Sequence, residues 1–295
     1  MVGASAVGGR VEKGGRRKRG TWLAVVPLFG YVGTFLLLPT AIVVFGGFER
    51  GGHATLDNLR ALGEGYVVSS FAHSLVVSAA SSVIGATVGA LLTYAIATGN
   101  PDGLLRRVAT SACGVLALFG GVALAFAFIA TIGGAGLVTV WLGSHGIDIY
   151  AGGVWLYDLS GLTLVYVYFQ IPLMVLVFLP ALDGVQPQWR EAAESLGCTT
   201  WGYWRHVAGP LLTPAFLGAT LLLFANAFSA YATAAALITQ GGIIVPLQIS
   251  NALSSEVGLN RENVANALAI AMIFVVAVVM TLYALLQRQT ARWLQ

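Results

Sequence analysis

The most specific spacing in the sequence lies in a polar stretch, residues 186–210, between the apolar runs 160–182 and 211–238. Proline is favoured in the first turn of a helix, and glycine at the left-handed position that ends one, so Pro187 and Gly197 predict two short helices joined at the glycine. A rigid unit of this kind can dock into another protein rather than carry out catalysis. The residues with fixed spacing within it are Glu191, Ala192, Ala193, Gly197, Val207 and Pro210.

The sequence lacks the motifs that would indicate an enzyme or a cofactor-binding protein. It has no G-x-x-x-x-G-K-[ST] phosphate loop, so we do not expect the chain to hydrolyse ATP. Its cysteines and histidines form no cluster with metal-ligand spacing, so no metal or cofactor is predicted. The pI near 9.0 does not indicate a nucleic-acid partner. The basic residues lie in a tail and in loops, where orientation in a membrane accounts for them.

The composition is that of an integral membrane protein. Of the 295 residues, 57% are hydrophobic and 9% are charged, whereas soluble proteins carry about 25% charged residues. A spanning helix needs about 20 apolar residues, so the predicted fold is all-α, with a transmembrane domain at 21–295. Residues 1–20, rich in glycine and basic side chains, are predicted to be a disordered tail. The six predicted spans are 22–48, 66–98, 104–132, 160–182, 211–238 and 264–286.

Six spans place both termini on the same side of the membrane, and the positive charges indicate which side that is. Only three of the 15 basic residues, Arg50, Arg60 and Arg261, fall on the side opposite the termini. Basic residues are retained in the cytoplasm, so we expect both termini and the 186–210 loop to be cytoplasmic. The polar loops expected on the outer side are 49–65, 133–159 and 240–263.

The 186–210 loop resembles the EAA loop of the permease subunits of type I ABC importers. That family pattern is Glu-Ala-Ala, three residues, Gly, nine residues, Ile, one residue and Leu-Pro, and this chain departs from it at Val207 and Gly209. The resemblance implies a coupling helix that seats in a cleft of a cytoplasmic ABC ATPase subunit. It also implies a second permease subunit, homologous or identical, and an extracytoplasmic solute-binding protein as partners. The permease would lie in the inner or plasma membrane.

Polar side chains form stripes on the two spans that flank this loop. Tyr166 and Gln170 share one face of the fourth span, while Asn226, Ser229 and Thr233 share a face of the fifth, with neighbouring Tyr231 off that face. Polar groups at membrane depth face other helices or a water-filled cavity. These residues therefore either make interhelical hydrogen bonds or contact a solute. Because the resemblance implies that the flanking spans line the translocation path, they are the predicted path residues.

Three further segments, 171–176, 230–233 and 241–242, resemble the spermidine/putrescine-type branch of the family. They imply a permease that forms the path for a small, polyamine-like solute. Two alternatives remain open: a sugar-type ABC importer permease, and a secondary transporter that works alone. The second is disfavoured because no charged residue lies deep in a predicted span. Ion-coupled carriers commonly use buried acidic or histidine side chains as relays.

Overall fold

The structure is a computed structural model, and it describes six ranges of the chain. These ranges are 26–50, 53–54, 60–100, 103–238, 244–254 and 261–293. The tail predicted at 1–20, the start of the first predicted span and the segment 241–242 lie outside these ranges. Within them the chain is helical, apart from loops and one short antiparallel pair, β1 (Glu49–Arg50) and β2 (His53–Ala54).

The structure describes eleven helices along the chain. In chain order they are α1 (Val26–Gly47), α2 (Gly65–Ala97), α3 (Leu104–Leu118), α4 (Gly121–Ile132), α5 (Leu137–Ser144), α6 (Leu159–Asp183), α7 (Pro187–Ser195), α8 (Thr200–Phe228), α9 (Ala232–Leu237), α10 (Val245–Ser254) and α11 (Arg261–Trp293). The described region also has 3₁₀ turns at Ala61–Gly63 and Trp155–Tyr157.

Six helical segments are long and apolar enough to cross a membrane, which confirms the predicted fold class. α1, α2, α6, α8 and the Val264–Leu286 part of α11 overlap the corresponding predicted spans. The third segment differs from the prediction. It meets the length and hydropathy requirement as Gly121–Ser144, which joins α4 and α5, whereas the sequence predicts a span at 104–132.

A helix break accounts for this difference in the third span. α3 ends at Leu118 and α4 begins at Gly121. Gly121 has a φ of +70°, a conformation that glycine adopts without the steric penalty of a side chain. The stretch carries no charge between its two halves, so hydropathy alone predicts one continuous helix. The backbone conformation of the glycine pair at 120–121 instead separates α3 from α4.

The predicted fifth span, 211–238, contains a second break, between the end of α8 at Phe228 and the start of α9 at Ala232. The Ser229 hydroxyl donates to the carbonyl oxygens of Ala225 at 2.9 Å and Asn226 at 3.2 Å. Hydrogen bonds from a side chain to nearby carbonyls compete with the helical backbone pattern. The predicted single helix is two helices, and its polar residues lie on both sides of the break.

Part of the segment predicted as a polar loop at 240–263 is helical, because α10 packs against α2. The first three residues of α10 are buried. The Val245 amide donates to the Ser74 hydroxyl at 2.9 Å, and the Gln248 side-chain amide donates to the Ser70 hydroxyl at 3.2 Å. Polar groups in this segment are therefore satisfied by buried serines of a neighbouring helix, a partner that local sequence does not reveal.

The contact between α2 and α6 is the most extensive helix contact of the described bundle. A Cβ atom added to Gly85 would lie 2.7 Å from the Gln170 Cβ atom, and one added to Gly89 would lie 2.5 Å from the Met174 Cβ atom. Small residues allow helix backbones in a membrane to approach this closely. The same face of α2 carries buried serines at Ser70, Ser74, Ser78 and Ser81.

α1 and α11 lie at the outside of the described bundle. Gly46 and Gly47 of α1 face Asn266 and Ile270 of α11. In the most apolar window of α1, 0% of residues are buried, compared with 6% in α11 and 50% in α6. Apolar surface this extensive is not left in water by stable proteins, so these helices face lipid or another protein.

Replacing Gly89 with alanine should destabilise the bundle, because the new methyl group would press on Met174. Overpacking a well-packed core costs about 1–3 kcal/mol. The same substitution at Gly114 in α3 meets no atom within 4 Å. It should be neutral or stabilising, since alanine is favoured over glycine in a helix by up to about 1 kcal/mol. Thermal unfolding of both purified variants in detergent measures the difference, and equal midpoints would contradict the close contact between α2 and α6.

Candidate functional site

α7 begins at Pro187 and ends in a Schellman motif centred on Gly197, which has a φ of +76°. The Gly197 amide donates to the Glu194 carbonyl at 2.9 Å, and the Cys198 amide donates to the Ala193 carbonyl at 3.0 Å. These two hydrogen bonds define the motif. The left-handed glycine predicted from the sequence is therefore present, and it sets the direction in which the chain leaves α7.

The second short helix of the loop is not separate from the fifth span, because it continues into the membrane-spanning part of α8. Thr199 caps its start and accepts a hydrogen bond from a first-turn amide at 3.2 Å. Trp204–Ala208 then form a π turn. Pro210 follows in the first turn of the regular helix, where its missing amide hydrogen is tolerated. The loop and the fifth span thus share one 29-residue helix.

The π turn explains why glycine stands at position 209, where the family pattern has leucine. The Gly209 amide bonds to the Trp204 carbonyl oxygen, five residues earlier. A side chain at Gly209 would collide with that same oxygen. The departure from the pattern is therefore a requirement of this helix geometry.

A small apolar cluster holds α7 against the start of α8. Ala193, Tyr203 and Ala208 are buried in it, and Trp189 and Val207 pack against them. The second alanine of the Glu-Ala-Ala triplet is thus part of a local core. Its small side chain allows the two helices to lie close together, so this position serves the shape of the loop.

Glu191, Ala192, Leu196 and Trp201 are exposed residues of the loop, and we call them its exposed face. Leu196 is 88% exposed and Trp201 is 73% exposed. The Glu191 carboxylate forms no ion pair with any described residue, whereas the neighbouring Glu194 accepts a hydrogen bond from Arg190. The sequence reasoning missed Leu196 and Trp201. In the sequence they stand out only as large apolar residues in a polar loop. Leu196 comes directly before the helix-ending glycine, and Trp201 follows it by four residues.

Two contacts attach the loop region to the rest of the bundle. The Arg106 guanidinium, near the start of α3, lies 2.5 Å from the Asp183 carboxylate at the end of α6. The Tyr94 and Trp204 rings meet edge to face, with centroids 5.3 Å apart. These contacts join α2, α3 and α6 to the region where α7 and α8 begin. The loop is therefore attached to the bundle near each of its ends.

A cavity of about 260 Å³ lies where the two helix breaks meet. Asn226, Ser229 and Thr233, which the sequence places on one face, all line it. Tyr231 lines it as well, although helical spacing assigns it to another face, because α8 ends at Phe228 and the helical period is lost there. The remaining lining residues are Ala117, Gly120, Gly121, Phe169, Ala230 and Ala232.

The other two predicted path residues, Tyr166 and Gln170, are buried in helix contacts rather than lining this cavity. Their exposed fractions are 1% and 0%. The Tyr166 hydroxyl donates to the Ala230 carbonyl at 2.6 Å, and the Gln170 side-chain amide donates to the Ser81 hydroxyl at 2.9 Å. Of the two roles that the sequence leaves open, these contacts favour interhelical hydrogen bonding. Tyr166 satisfies a carbonyl group freed by the break in the fifth span.

The sequence of the chain matches a known protein family. Residues 15–294 match the family described as binding-protein-dependent transport system inner membrane component, and the chain belongs to that family. It is a permease of the type I ABC importer class, a non-catalytic, multi-pass component of the inner membrane. The predictions of fold class, of membrane location and of a subunit without catalytic activity are confirmed at this level.

Similar proteins differ in the solutes that their names state. The chain is 26% identical over 207 residues to a probable sulfate transport system permease of Marchantia polymorpha, covering 68% of this chain and 66% of that protein. It is 31% identical over 77 residues to the thiamine transport system permease of Escherichia coli strain K12, covering 26% and 14%. The chain spans no more than about two thirds of the curated relatives it matches.

The fold is also similar to that of a chain in a solved structure. A bacterial ABC transporter involved in the import of the acidic polysaccharide alginate superposes with a TM-score of 0.65 at 16% identity. The match covers 92% of this chain and 95% of that chain. At this level of identity the likeness concerns the fold alone, and it agrees with the six-span architecture.

Replacing Gly197 with aspartate should distort the turn between α7 and α8 without preventing membrane insertion. A side chain in the left-handed region costs about 1–2 kcal/mol, and the strain falls on the Schellman hydrogen bonds. Amide hydrogen exchange in 186–210 should therefore become faster. Gly184→Asp is the matched control, since Gly184 has an ordinary φ of −72°. Equal exchange in the two variants would contradict the structural role of Gly197.

Proposed function

We propose that the chain forms part of the translocation path of an ATP-driven importer and that the 186–210 loop couples this path to an ATPase. The observation that carries the proposal is the continuity of α8, which begins in the loop and ends at the cavity. A helix is stiff along its axis, so a displacement at one end is felt at the other. An ATPase that moves the loop would thereby act on the cavity.

The exposed face of the loop is the proposed docking surface for a cytoplasmic ABC ATPase subunit. Leu196 and Trp201 would enter an apolar cleft, and Glu191 would pair with a basic group at its edge. Arg190 and Arg205 in the same loop support a cytoplasmic position, because basic residues are retained on that side. Both termini would then be cytoplasmic too, as the sequence predicts.

Two further partners complete the proposed importer. The exposed apolar surfaces of α1 and α3 suit a second permease subunit or lipid, since they include Phe35, Leu105 and Leu118, each more than half exposed. A second permease would also close the open side of the cavity. On the outer face, the segments 49–65, 133–159 and 240–263 would receive a solute-binding protein.

The proposed solute is small and polar, and the cavity does not favour a polyamine. Polyamines are multiply charged cations that carboxylates recognise, and no lining residue of the cavity is acidic. The names of the similar permeases state sulfate and thiamine. The spermidine/putrescine-type resemblance thus finds no support in the lining. A sugar-type solute remains an alternative, although 260 Å³ is less than the roughly 300–1,000 Å³ typical of drug-sized ligands.

Coexpression of this chain with an ABC ATPase and a solute-binding protein from the same source tests the proposal. The intact complex should copurify and take up solute. Leu196→Ser should weaken ATPase capture by about tenfold or more, because burying a leucine contributes about 1.5–3 kcal/mol. Glu191→Ala should weaken capture less, since an exposed ion pair contributes only about 0–1 kcal/mol.

Glu194→Ala is the matched control for Glu191→Ala, because its carboxylate is already engaged by Arg190 on the same helix. It should capture the ATPase as the unmodified chain does. Full ATPase capture and full uptake by Leu196→Ser would overturn the proposed docking surface.

A further inference from the structure

A groove of about 470 Å³ lies at the loop end of the bundle, where α2, α6 and α8 meet. Its lining includes Ala90 and Tyr94 of α2, Leu182 of α6, and Trp204 and Phe216 of α8. It shares no lining residue with the cavity at the helix breaks. The groove therefore follows the first turns of the span that leaves the loop, at a distance from the proposed path.

Away from the loop end, the side chains that line this groove have no free hydrogen-bond donor. None of the lining residues is charged. The Thr87 and Thr213 hydroxyls each donate to a carbonyl oxygen of their own helix at 2.7 Å. The other lining side chains with polar atoms, Tyr94 and Trp204, lie at the loop end. An apolar chain therefore suits the groove, and a water-soluble solute does not.

The length of the groove is close to the thickness of one membrane leaflet. Trp204 and Phe216 are twelve residues apart on α8, which corresponds to about 18 Å along a helix axis. Half of the hydrocarbon core of a bilayer is about 15 Å thick. Thr87, Leu91 and Thr213 of the lining are exposed, so the groove is open to the surroundings of the bundle at this depth.

Two amphipathic aromatic residues mark the loop end of the groove as a membrane interface. The Tyr94 and Trp204 rings meet there edge to face. Tyr94 lies in the last turn of α2, and Trp204 begins the π turn of α8. Tyrosine and tryptophan are enriched where a membrane meets water, because each has an apolar ring and a polar group. We therefore place this end at the depth of the lipid headgroups and the rest of the groove among the acyl chains.

An uncompensated positive charge lies next to this end of the groove. Arg205 directly follows Trp204, is exposed and forms no ion pair with any described residue. Asp183, which directly follows the lining residue Leu182, is by contrast already paired with Arg106. Guanidinium groups recognise phosphate through charge-assisted hydrogen bonds. An anionic headgroup at this end would therefore meet a cation that has no other partner among the described residues.

We propose that this groove binds one anionic phospholipid, with an acyl chain in the groove and the phosphate group at Arg205. The proposal rests on the proposed cytoplasmic position of the loop only for the choice of leaflet, which is then the inner one. Gly209, which follows the π turn, is a lining residue. The bound chain therefore packs α8 against α2 and α6 at the point where the loop passes into the span.

The test is native mass spectrometry of the full chain in a nonionic detergent, titrated with dioleoyl phosphatidylglycerol. One molecule should bind, and the site should saturate. Dioleoyl phosphatidylcholine has the same acyl chains and no net charge. It should bind about fivefold more weakly, the size of effect expected for one basic residue that attracts an anionic lipid. Arg205→Gln should abolish the preference for phosphatidylglycerol.

A second variant, Ala90→Phe, places a ring in the groove. It should weaken the binding of both lipids about tenfold or more, because the loss of a few buried CH₂ groups has an effect of that size. Ala95→Phe is its matched control, since Ala95 lies on the same helix, is exposed and does not line the groove. Arg107→Gln is the control for Arg205→Gln, because Arg107 is exposed on α3, which contributes no lining residue. Both controls should bind as the unmodified chain does.

Equal affinity for the two phospholipids, or binding that rises without saturation, would overturn the proposal. Equal binding by Ala90→Phe and Ala95→Phe would overturn it as well. If a second copy of this chain covers the groove instead, Ala90→Phe should reduce the signal of the dimer and leave lipid binding unchanged, which also refutes the proposal. Arg205 is exposed, so the comparison with Arg205→Gln remains decisive even if Ala90→Phe does not fold.

These outcomes are separable from the proposed function, because neither an ATPase nor a solute-binding protein is present in the titration. A complex that captures its ATPase and takes up solute, while the chain shows no saturable lipid binding, would refute the lipid site and leave the importer proposal standing. A chain that captures no ATPase but binds phosphatidylglycerol through Arg205 would do the reverse.

Discussion

Backbone groups at membrane depth have no water with which to bond, and this constraint governs where the helices of this protein can break. An unsatisfied amide or carbonyl group in hydrocarbon costs several kcal/mol, so irregular backbone is tolerated only where it is buried in protein or lines a cavity. Both breaks here meet the condition. The Tyr166 hydroxyl satisfies the Ala230 carbonyl, and the two breaks share one cavity. Each break therefore depends on the other and on α6.

The close contact of α2 and α6 supports this arrangement. Gly85 and Gly89 bring the two helices together, and the buried Gln170 side chain joins them through Ser81. Held in this way, α6 makes two further contacts. Tyr166 bonds to the break in the fifth span, and Asp183, at the C-terminal end of α6, pairs with Arg106 next to the start of the loop. The loop itself is shaped by Gly197 and by the local core around Ala193.

Much of this could be predicted from the sequence, and the failures have physical causes. Six spans and the glycine-ended helix α7 follow from hydropathy and from the conformational freedom of glycine. The two helix breaks do not follow from hydropathy, because hydropathy does not report backbone conformation such as the positive φ at Gly121. Helical spacing brought Asn226, Ser229 and Thr233 together, but it could not tell a cavity-lining group from a packing group such as Gln170. That distinction depends on which neighbouring helix supplies a partner.

The central claim is that α8 transmits movement of the 186–210 loop to the cavity. It is tested most directly by the rate at which Ser229→Cys reacts with a membrane-impermeant thiol reagent in the assembled complex, with Cys113 and Cys198 replaced by alanine. The account predicts that this rate changes when the ATPase binds nucleotide. It also predicts that the change disappears when two glycines are inserted into α8 after Leu217. A nucleotide-dependent rate that survives the insertion would contradict it.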